Sequence, residues 1–445
     1  PPRRATTPAP RHVRPHASRP TGSLCVIATT PRHHATRMID RAFADDPEER
    51  ISSEMTDFRP DLVAVGIRNI QNNEYSGIST NLDLWKGLVA QIRSATDAPL
   101  VLGGAGFSVM PKELMELLGA EYGIAGEGER LFPLLLDSIE ASGPVPDGVY
   151  TAHQWDSGSK TAAATFIDLN GICPPDRTLV DREYYTAYGT DSVQTSRGCS
   201  LKCSYCTYPK IEGSARRLMD PERVADEFDR ARDNGAGHVF VVDSVFNLPK
   251  AHAKAVCKAL IERENTMPWT CYANPLTFDD ELASLMARAG CAGMEVGADS
   301  GCDDVLRTLR KGFTTRDVIA LHRLAGRHGI ADCHTFILGT EGETIDHVKR
   351  TLDFIAGLDP FAAIIMVWVD DREAFGADYR AGRKLLRQSI MELLMERKDD
   401  FSRWIVPSLG VNFDESIFRM MRRAGMRGPL WQHMKRRPAT GRTRP

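Results

Sequence analysis

The stretch Thr195-Ser-Arg-Gly-Cys-Ser-Leu-Lys-Cys-Ser-Tyr-Cys-Thr-Tyr208 sets Cys199, Cys203 and Cys206 in a C-x3-C-x2-C pattern within eight residues. Three thiolates that close suit one metal centre. A structural zinc would want a fourth ligand nearby to close its tetrahedron. The next cysteine, Cys257, is far along the chain, and His238 forms no motif with the three. Iron–sulfur clusters are held by cysteine thiolates, and three of them leave one corner of a cubane open. The count therefore fits an open 4Fe-4S cluster, with structural zinc or chance clustering as the alternative.

Downstream of this loop the chain repeats a strand-then-helix rhythm. A first strand from Ser192 runs into the cysteines. His238–Asp243, Trp269–Ala273, Gly293–Ala298, Asp332–Leu338 and Phe361–Trp368 read as five more strands. Helices are predicted over 220–234, 249–264, 279–289, 303–310, 315–328 and 344–358, the first with Asp220 as N-cap and Pro221 in its first turn. Six such units predict a closed or partial α/β barrel, whose chemistry sits at the carboxyl ends of the strands. Those ends carry Asp243-Ser244, then Glu295 with Asp299-Ser300-Gly301, then Gly339-Thr-Glu-Gly-Glu-Thr344.

Upstream, residues 23–140 alternate as well. Ser23–Ala28 is a short apolar run, Asp61–Ile67 and Pro99–Gly104 read as buried strands, and Leu82–Arg93 is an amphipathic helix. Pro111 opens a helix to Leu118, followed by Tyr122–Gly126. This pattern predicts a doubly wound parallel sheet, with ligands beyond the carboxyl ends of its strands. The loops there hold Arg68, Asn69 and Gln71, then Gly103 and Gly104, then Gly126 and Glu127. Glycine at such ends lets backbone approach a bulky ligand closely.

With Tyr205 as the aromatic residue before the third cysteine, the quoted run resembles the cluster loop of the radical SAM enzymes. The resemblance spans roughly residues 55–435. It implies a six-stranded partial barrel, with Cys199, Cys203 and Cys206 on a 4Fe-4S cluster whose open iron chelates S-adenosylmethionine (SAM). It also implies that Tyr205, Asp243, Ser244, Glu295, Asp299, Ser300 and Gly339 line the SAM site; Asp299 stands where Glu is usual, and Glu341 replaces the proline of a P-G-E-T turn. Arg310-Lys-Gly312 matches the family's pattern too, although a solvated helix end suffices for Arg310. The upstream loops RNIQNN, LVLGGAGFS and GIAGEGE are similar to the cobalamin-binding, Rossmann-like domain fused to one branch of the family. Arg68, Asn69, Gln71, Gly103, Gly104, Gly126 and Glu127 would then contact cobalamin. That branch lacks the Asp-x-His-x-x-Gly motif, as does this chain: after Asp332-Cys-His334, Ile337 stands where glycine is needed.

The implied activity is reductive cleavage of SAM, with C-methylation of an unactivated carbon in a small-molecule or peptide substrate. A flavodoxin or ferredoxin would donate the electron. Two alternatives stay open: a radical cyclase or rearrangement enzyme, and a degenerate cluster-binding scaffold that has lost cobalamin. The shortness of the first βα unit, with only Ser23–Thr30 and a His-rich segment from Arg32 to Arg37 before Met38, motivates the second. No sequence feature names a catalytic residue.

Composition agrees with a globular chain. It has 445 residues, 42% apolar and 26% charged, with a net charge of −3 that implies no polyanion partner. No apolar run is long enough for a membrane span, and no secretory signal is seen. The missing initiator Met points to processing, trimming or an internal start. Cys25, Cys173, Cys257, Cys271, Cys291, Cys302 and Cys333 read as small buried hydrophobes in a reducing, cytoplasmic setting. The predicted layout is a disordered tail at 1–22, the cobalamin-binding unit at 23–140, a linker at 141–190, the barrel at 191–370 and a helical C-terminal region at 371–445. The latter ends in a basic tail read as solvated.

Overall fold

The computed structural model describes residues 19–44, 46–70, 82–152, 166–369, 384–397, 403–409 and 420–434. The first element is a helix, α1 (Thr21–Thr29), which contains the short apolar run Ser23–Ala28. A run of five apolar residues does not separate a strand from a buried helix. Here Pro20 and Pro31 bracket one short helix, and Leu24 and Cys25 are its buried face. Thr21 and Gly22, placed within the expected tail, belong to this helix. α2 (Pro47–Phe58) follows, capped by Asp46, whose carboxylate accepts from the amides of Glu48 and Glu49. It stops at Arg59, which turns left-handed (φ 50°) ahead of Pro60.

Next come β1 (Val63–Gly66), α3 (Leu82–Ala95), β2 (Leu100–Gly103), α4 (Ala105–Val109), α5 (Pro111–Leu118), β3 (Tyr122–Ile124), α6 (Gly128–Glu140) and β4 (Val149–Thr151). β1, β2 and β3 pair in parallel, and β4 adds an antiparallel edge, so the sheet is mixed with order β1-β2-β3-β4. β4 lies inside the expected linker: a three-residue strand is too short to show a period in sequence.

The second sheet is built from β5 (Thr190–Val193), followed by the hairpin β6 (Ser196–Arg197) and β7 (Arg217–Leu218) with α7 (Tyr208–Glu212) between them. The repeats then run α8 (Pro221–Asp233), β8 (His238–Val241), α9 (Lys250–Glu262), β9 (Trp269–Ala273), α10 (Asp280–Arg288) and β10 (Cys291–Asp299). They continue with α11 (Asp303–Thr308), α12 (Thr315–Arg327), β11 (Ala331–Leu338), α13 (Ile345–Leu358), β12 (Ala362–Val367), α14 (Lys384–Arg397) and β13 (Trp404–Ile405). Pro221 opens α8 as expected, but Asp220 makes no capping hydrogen bond.

All pairings in the order β13-β12-β11-β10-β9-β8-β5 are parallel, which makes an open barrel wall with β5 and β13 at its two edges. The six expected strands are present. A seventh, β13, comes from the C-terminal region expected to be helical. It is two residues long, yet Trp404 and Ile405 pair with Ala363 and Ile364 after a helical crossover. Along the wall, side chains alternate. Met294 and Val296 are buried in the core shared with helices α8, α9 and α10. Glu295, between them, points the other way. Trp269 is fully buried and meets Phe246 and Phe228 edge-on at 5.1 and 6.3 Å.

Charged pairs fasten the front of the chain to the barrel. The Arg19 and Arg177 Nε–H groups donate to the two oxygens of Asp191 at 2.6 and 2.7 Å, all three residues being buried. Tyr184 and Tyr185, from the end of the expected linker, are part of the barrel's core, as their sequence position at a domain entry suggests.

Candidate functional site: the cysteine loop at the barrel mouth

The cysteine loop leaves β6 at Gly198, a position that only glycine can occupy. Its φ is +85°, and a Cβ there would come within 2.1 Å of the Ala215 carbonyl oxygen. Its amide donates to Glu212 at 3.2 Å, and its carbonyl accepts from Arg216 at 2.7 Å and from the Ser244 hydroxyl at 3.2 Å. Cys199 then donates its amide to the carbonyl of Gly213, and Ser204 donates to Leu309. Cys199 is buried, while Cys203 and Cys206 are half-buried.

One metal ion would draw its ligand atoms to within about 4 Å of one another, given metal–sulfur bonds of about 2.3 Å. Among the described residues, two groups have three or more such atoms within 4.8 Å, and neither includes these cysteines. At least one pair of the three sulfurs is therefore more than 4.8 Å apart, wider than a single zinc ion would hold them. Burial pushes the Cys206 thiol up to about 11 and raises Cys203 as well. Iron deprotonates a coordinating thiol outright, so a cluster supplies what burial withholds.

Two buried networks hold the loop from either side. Asp243, at the end of β8, is wholly buried and accepts four bonds. Its Oδ1 takes the amides of Thr195 and Ser196 at 2.7 and 3.1 Å, and its Oδ2 takes their hydroxyls at 2.5 and 2.8 Å. Burial raises its pKa in spite of these bonds. On the other side, the Tyr205 hydroxyl donates to Asp299. Lys311 Nζ also meets that carboxylate, at 2.6 Å, and lies 5.4 Å from the Tyr205 ring centroid. Burial works against the charge of Lys311, but Asp299 outweighs it and holds the lysine protonated above its ordinary range. Burial, followed by Asp299, pushes the Tyr205 phenol far up. Tyr205 also packs edge-on to Trp368, ring centroids 5.7 Å apart.

The remaining residues expected around SAM each meet partners within the protein. Ser244 accepts a 2.8 Å bond from Arg216. Glu295 faces the barrel interior and accepts from the Trp431 indole at 2.9 Å; burial raises its pKa. Ser300 is buried toward α13 and bonds Thr351 at 3.1 Å. Gly339 (φ +85°) donates to Glu343 at 2.7 Å, which also collects the Thr340 amide and hydroxyl.

Arg216, Lys311, Glu343 and Trp431 were not singled out by sequence. The one usable signal was Arg310-Lys-Gly312, where Arg310 is exposed, as read, and Lys311 is the buried partner. Of the seven scattered cysteines, six are buried and Cys173 is exposed.

The glycine loops of the first sheet meet one another and then the cysteine loop. Gly104 has φ +95°, and a Cβ there would lie 2.6 Å from the Ile67 carbonyl oxygen; a Cβ on Gly106 would lie 3.0 Å from that of Arg68. The Ser108 hydroxyl donates to the Gly104 carbonyl at 2.8 Å and accepts from the Gly126 amide at 2.8 Å, joining the second and third loops. Gly103 is half-buried beside them, and the Asn69 carbonyl accepts from the Trp85 indole. Gln71 lies outside the described residues, as does the basic C-terminal end.

Glu127 bonds the Ile167 amide and pairs with Arg197 at 3.1 Å and Arg217 at 2.7 Å, while Glu129 pairs with Arg197 at 2.8 Å. Arg197 is the residue before Gly198, so the third loop is tied directly to the root of the cysteine loop. Arg68 lies near enough to Tyr208 and Tyr272, at the barrel mouth, to lower their pKa values against the upward push of burial.

Comparison with known proteins agrees with this geometry. Residues 193–355 match the radical SAM superfamily, and residues 19–136 match the B12 binding domain. The chain is 26% identical over 368 residues to tryptophan 2-C-methyltransferase of Streptomyces laurentii, covering 68% of this chain and 61% of the relative. It thus spans about three fifths of that relative's length. It is 23% identical to cytidylyl-2-hydroxyethylphosphonate methyltransferase of Streptomyces wedmorensis over 80% of this chain and 71% of the relative. The structure of the radical SAM methyltransferase TsrM from Kitasatospora setae, solved with tryptophan and a SAM analogue, superposes with a TM-score of 0.71 at 26% identity, covering 80% of this chain and 71% of that one. The cobalamin-dependent radical enzyme OxsB shares the fold, at 19% identity and a TM-score of 0.58 over 78% of this chain and 50% of that one. Membership carries a cofactor set with it: a 4Fe-4S cluster and SAM for the barrel, and cobalamin for the N-terminal unit. The cysteine triad at one sheet's mouth and the glycine cradle of the other are parts of one architecture, and the chain belongs to the radical SAM enzymes that carry a cobalamin-binding domain.

Proposed function

We propose that the chain is a cobalamin-dependent radical SAM C-methyltransferase acting on an unactivated carbon of a small molecule. The observation that carries this reading is the direct tie between the two mouths. Arg197, beside the cysteine loop, is clamped by Glu127 and Glu129 of the glycine cradle. Groups bound over each sheet would then face one shared space. When bound, the cluster and SAM supply the one-electron chemistry that activates a carbon, and cobalamin supplies the methyl group.

The chain's own residues do the positioning. Cys199, Cys203 and Cys206 would hold the cluster. Tyr205 is fixed by Asp299 and Lys311, and Asp243 pins Thr195 and Ser196, so the loop enters the site at a set angle. Ser244, Glu295, Ser300 and Gly339 would line the SAM side of this mouth. Asp243 and Asp299 serve SAM indirectly in this reading, through the backbone and ring they hold. Arg68, Asn69, Gln71, Gly103, Gly104 and Gly126 would meet cobalamin, with Glu127 acting as their fastener to the barrel. Phe240 and Tyr272, 5.0 Å apart, and the Tyr205–Trp368 pair offer aromatic walls to a substrate. A flavodoxin or ferredoxin of a reducing cytoplasm is the electron donor this chemistry calls for. No helix among the described residues is long and apolar enough to cross a membrane.

The test is anaerobic reconstitution followed by incubation with SAM carrying a labelled methyl group, cobalamin, reductant and tryptophan, the substrate of the relative, beside a panel of other small molecules. About four irons per chain are expected, and label should reach a carbon of one substrate. Iron uptake without any label transfer to cobalamin or substrate would overturn the methyltransferase reading.

A further inference from the structure

The turn after α1 carries a group of side chains that the catalytic reading does not use. Pro31-Arg-His-His34 is closed by the His34 amide donating to the Pro31 carbonyl at 3.0 Å. The two imidazoles lie against each other, centroids 4.2 Å apart, and both reach the last turns of α6. There Asp137 and Glu140, three apart, share one helix face. His33 Nε2 is 3.4 Å from Glu140 Oε2, and His34 Nε2 is 3.8 Å from Asp137 Oδ1 and 3.9 Å from Glu140 Oε2. One ligand atom from each of the four lies within 4.8 Å of all the others. His34 Nε2 is itself shut off from solvent and has no hydrogen-bond partner.

These separations decide the chemistry. Hydrogen bonds to nitrogen span about 2.7–3.2 Å, and a ring nitrogen at 3.8–3.9 Å from two carboxylates makes none. A tetrahedral ion with bonds of about 2.0–2.2 Å holds its ligand atoms about 3.3–3.6 Å apart. The three histidine–carboxylate spacings given above lie within a few tenths of an ångström of those edges, and the other pairs lie within 4.8 Å. The second ligand-rich group, His322, Asp332 and His334, fails the same test. Its atoms sit 2.6 and 2.8 Å apart as hydrogen bonds, leaving no room between them for an ion.

We propose that His33, His34, Asp137 and Glu140 form a binding site for a divalent transition-metal ion, Zn2+ by its two imidazole and two carboxylate donors. The site is separate from the cluster loop and independent of the proposed methyl transfer. The ion would clip the turn after α1 to the end of α6, where those two helices already pack together.

The test uses the full chain with its cluster reconstituted, so that the three loop cysteines are occupied. Equilibrium dialysis against Zn2+ is expected to load one ion per chain beyond the cluster iron. The H33Q/H34Q and D137N/E140Q double variants should each lose that ion, while H328Q, a surface histidine paired with Asp280, keeps it. With Co2+ in place of zinc, wild type should show ligand-field bands without a thiolate charge-transfer band. Zinc should raise the melting temperature of wild type and of neither double variant. Zinc uptake unchanged in either double variant, uptake by wild type no greater than theirs, or a thiolate band on cobalt would overturn the proposal.

Discussion

Replacing Lys311 with Met leaves the Asp299 carboxylate buried without its cation. Breaking one side of a buried ion pair costs about 3–5 kcal/mol, so K311M should unfold at markedly lower urea and retain less iron. Adding D299N should restore part of the stability, because both charges are then gone; a double variant no more stable than K311M would show that the pair is not what holds Tyr205. The cysteine triad could be read from sequence because all its members lie within eight residues. Lys311 could not, because its partner Tyr205 is 106 positions away and only folding shows that they meet. The same holds for Asp243: its place at a strand end suggested contact with a ligand, but that position does not distinguish a carboxylate facing a cofactor from one spent on four protein donors. Glu127 was read as a cobalamin contact for the same reason and is found between two arginines.

Helix α12 is fastened to β11 by a titrating contact. His322 Nδ1 and His334 Nε2 both meet Asp332 Oδ2, at 2.6 and 2.8 Å. The hydrogen bond to Asp332 raises the His322 pKa above 6.5, against burial and the nearby Arg323, with Asp359 adding to the rise. For Asp332, burial pushes upward, but the bonds from the two histidines prevail and hold it below 3.8. A raised histidine stabilises the fold at pH below its unfolded value and loses that contribution as pH climbs through the folded value. A depressed aspartate stabilises above its unfolded value and loses the contribution as pH falls through the folded one. The stability gap between wild type and H322N should therefore be widest between about pH 4 and 6.5 and shrink as pH climbs through the raised folded value of His322. A gap that stays constant in chemical denaturation across that range would refute the linkage. At this scale the long helices and the longer strands were legible, because their periods extend over enough residues to register. The misread elements were short. α1 is a nine-residue helix where the sequence showed only a short apolar run, and β4 and β13 have three and two residues. Pairing, not local preference, makes those two strands.

Across the molecule, the segment after the barrel reaches back inside it. The turn at Leu430–His433 brings Trp431 against β10, where a Cβ on Gly293 would lie 2.7 Å from its ring, and its indole donates to the half-buried Glu295. W431A removes a large buried side chain, worth about 3–5 kcal/mol, and strands that carboxylate. The variant should melt well below wild type, and E295Q on that background should recover part of the loss. The tie between the two sheets makes a separate forecast. E127Q/E129Q leaves Arg197 without either carboxylate, so limited proteolysis should cut between the units faster, and cobalamin retained on gel filtration should fall while bound iron changes less. Equal loss of both would mean that the pair supports the barrel itself.

The barrel wall is open, and β5 is one of its margins. Such a margin presents unpaired amides and carbonyls that invite a strand from another molecule. Arg19 stands guard there: besides holding Asp191, its guanidinium donates to the Ser192 carbonyl at 2.9 Å, occupying a position a foreign strand would use. Trimming the chain past that arginine should turn a monodisperse protein into one that self-associates with concentration, visible by light scattering before any change in helical content.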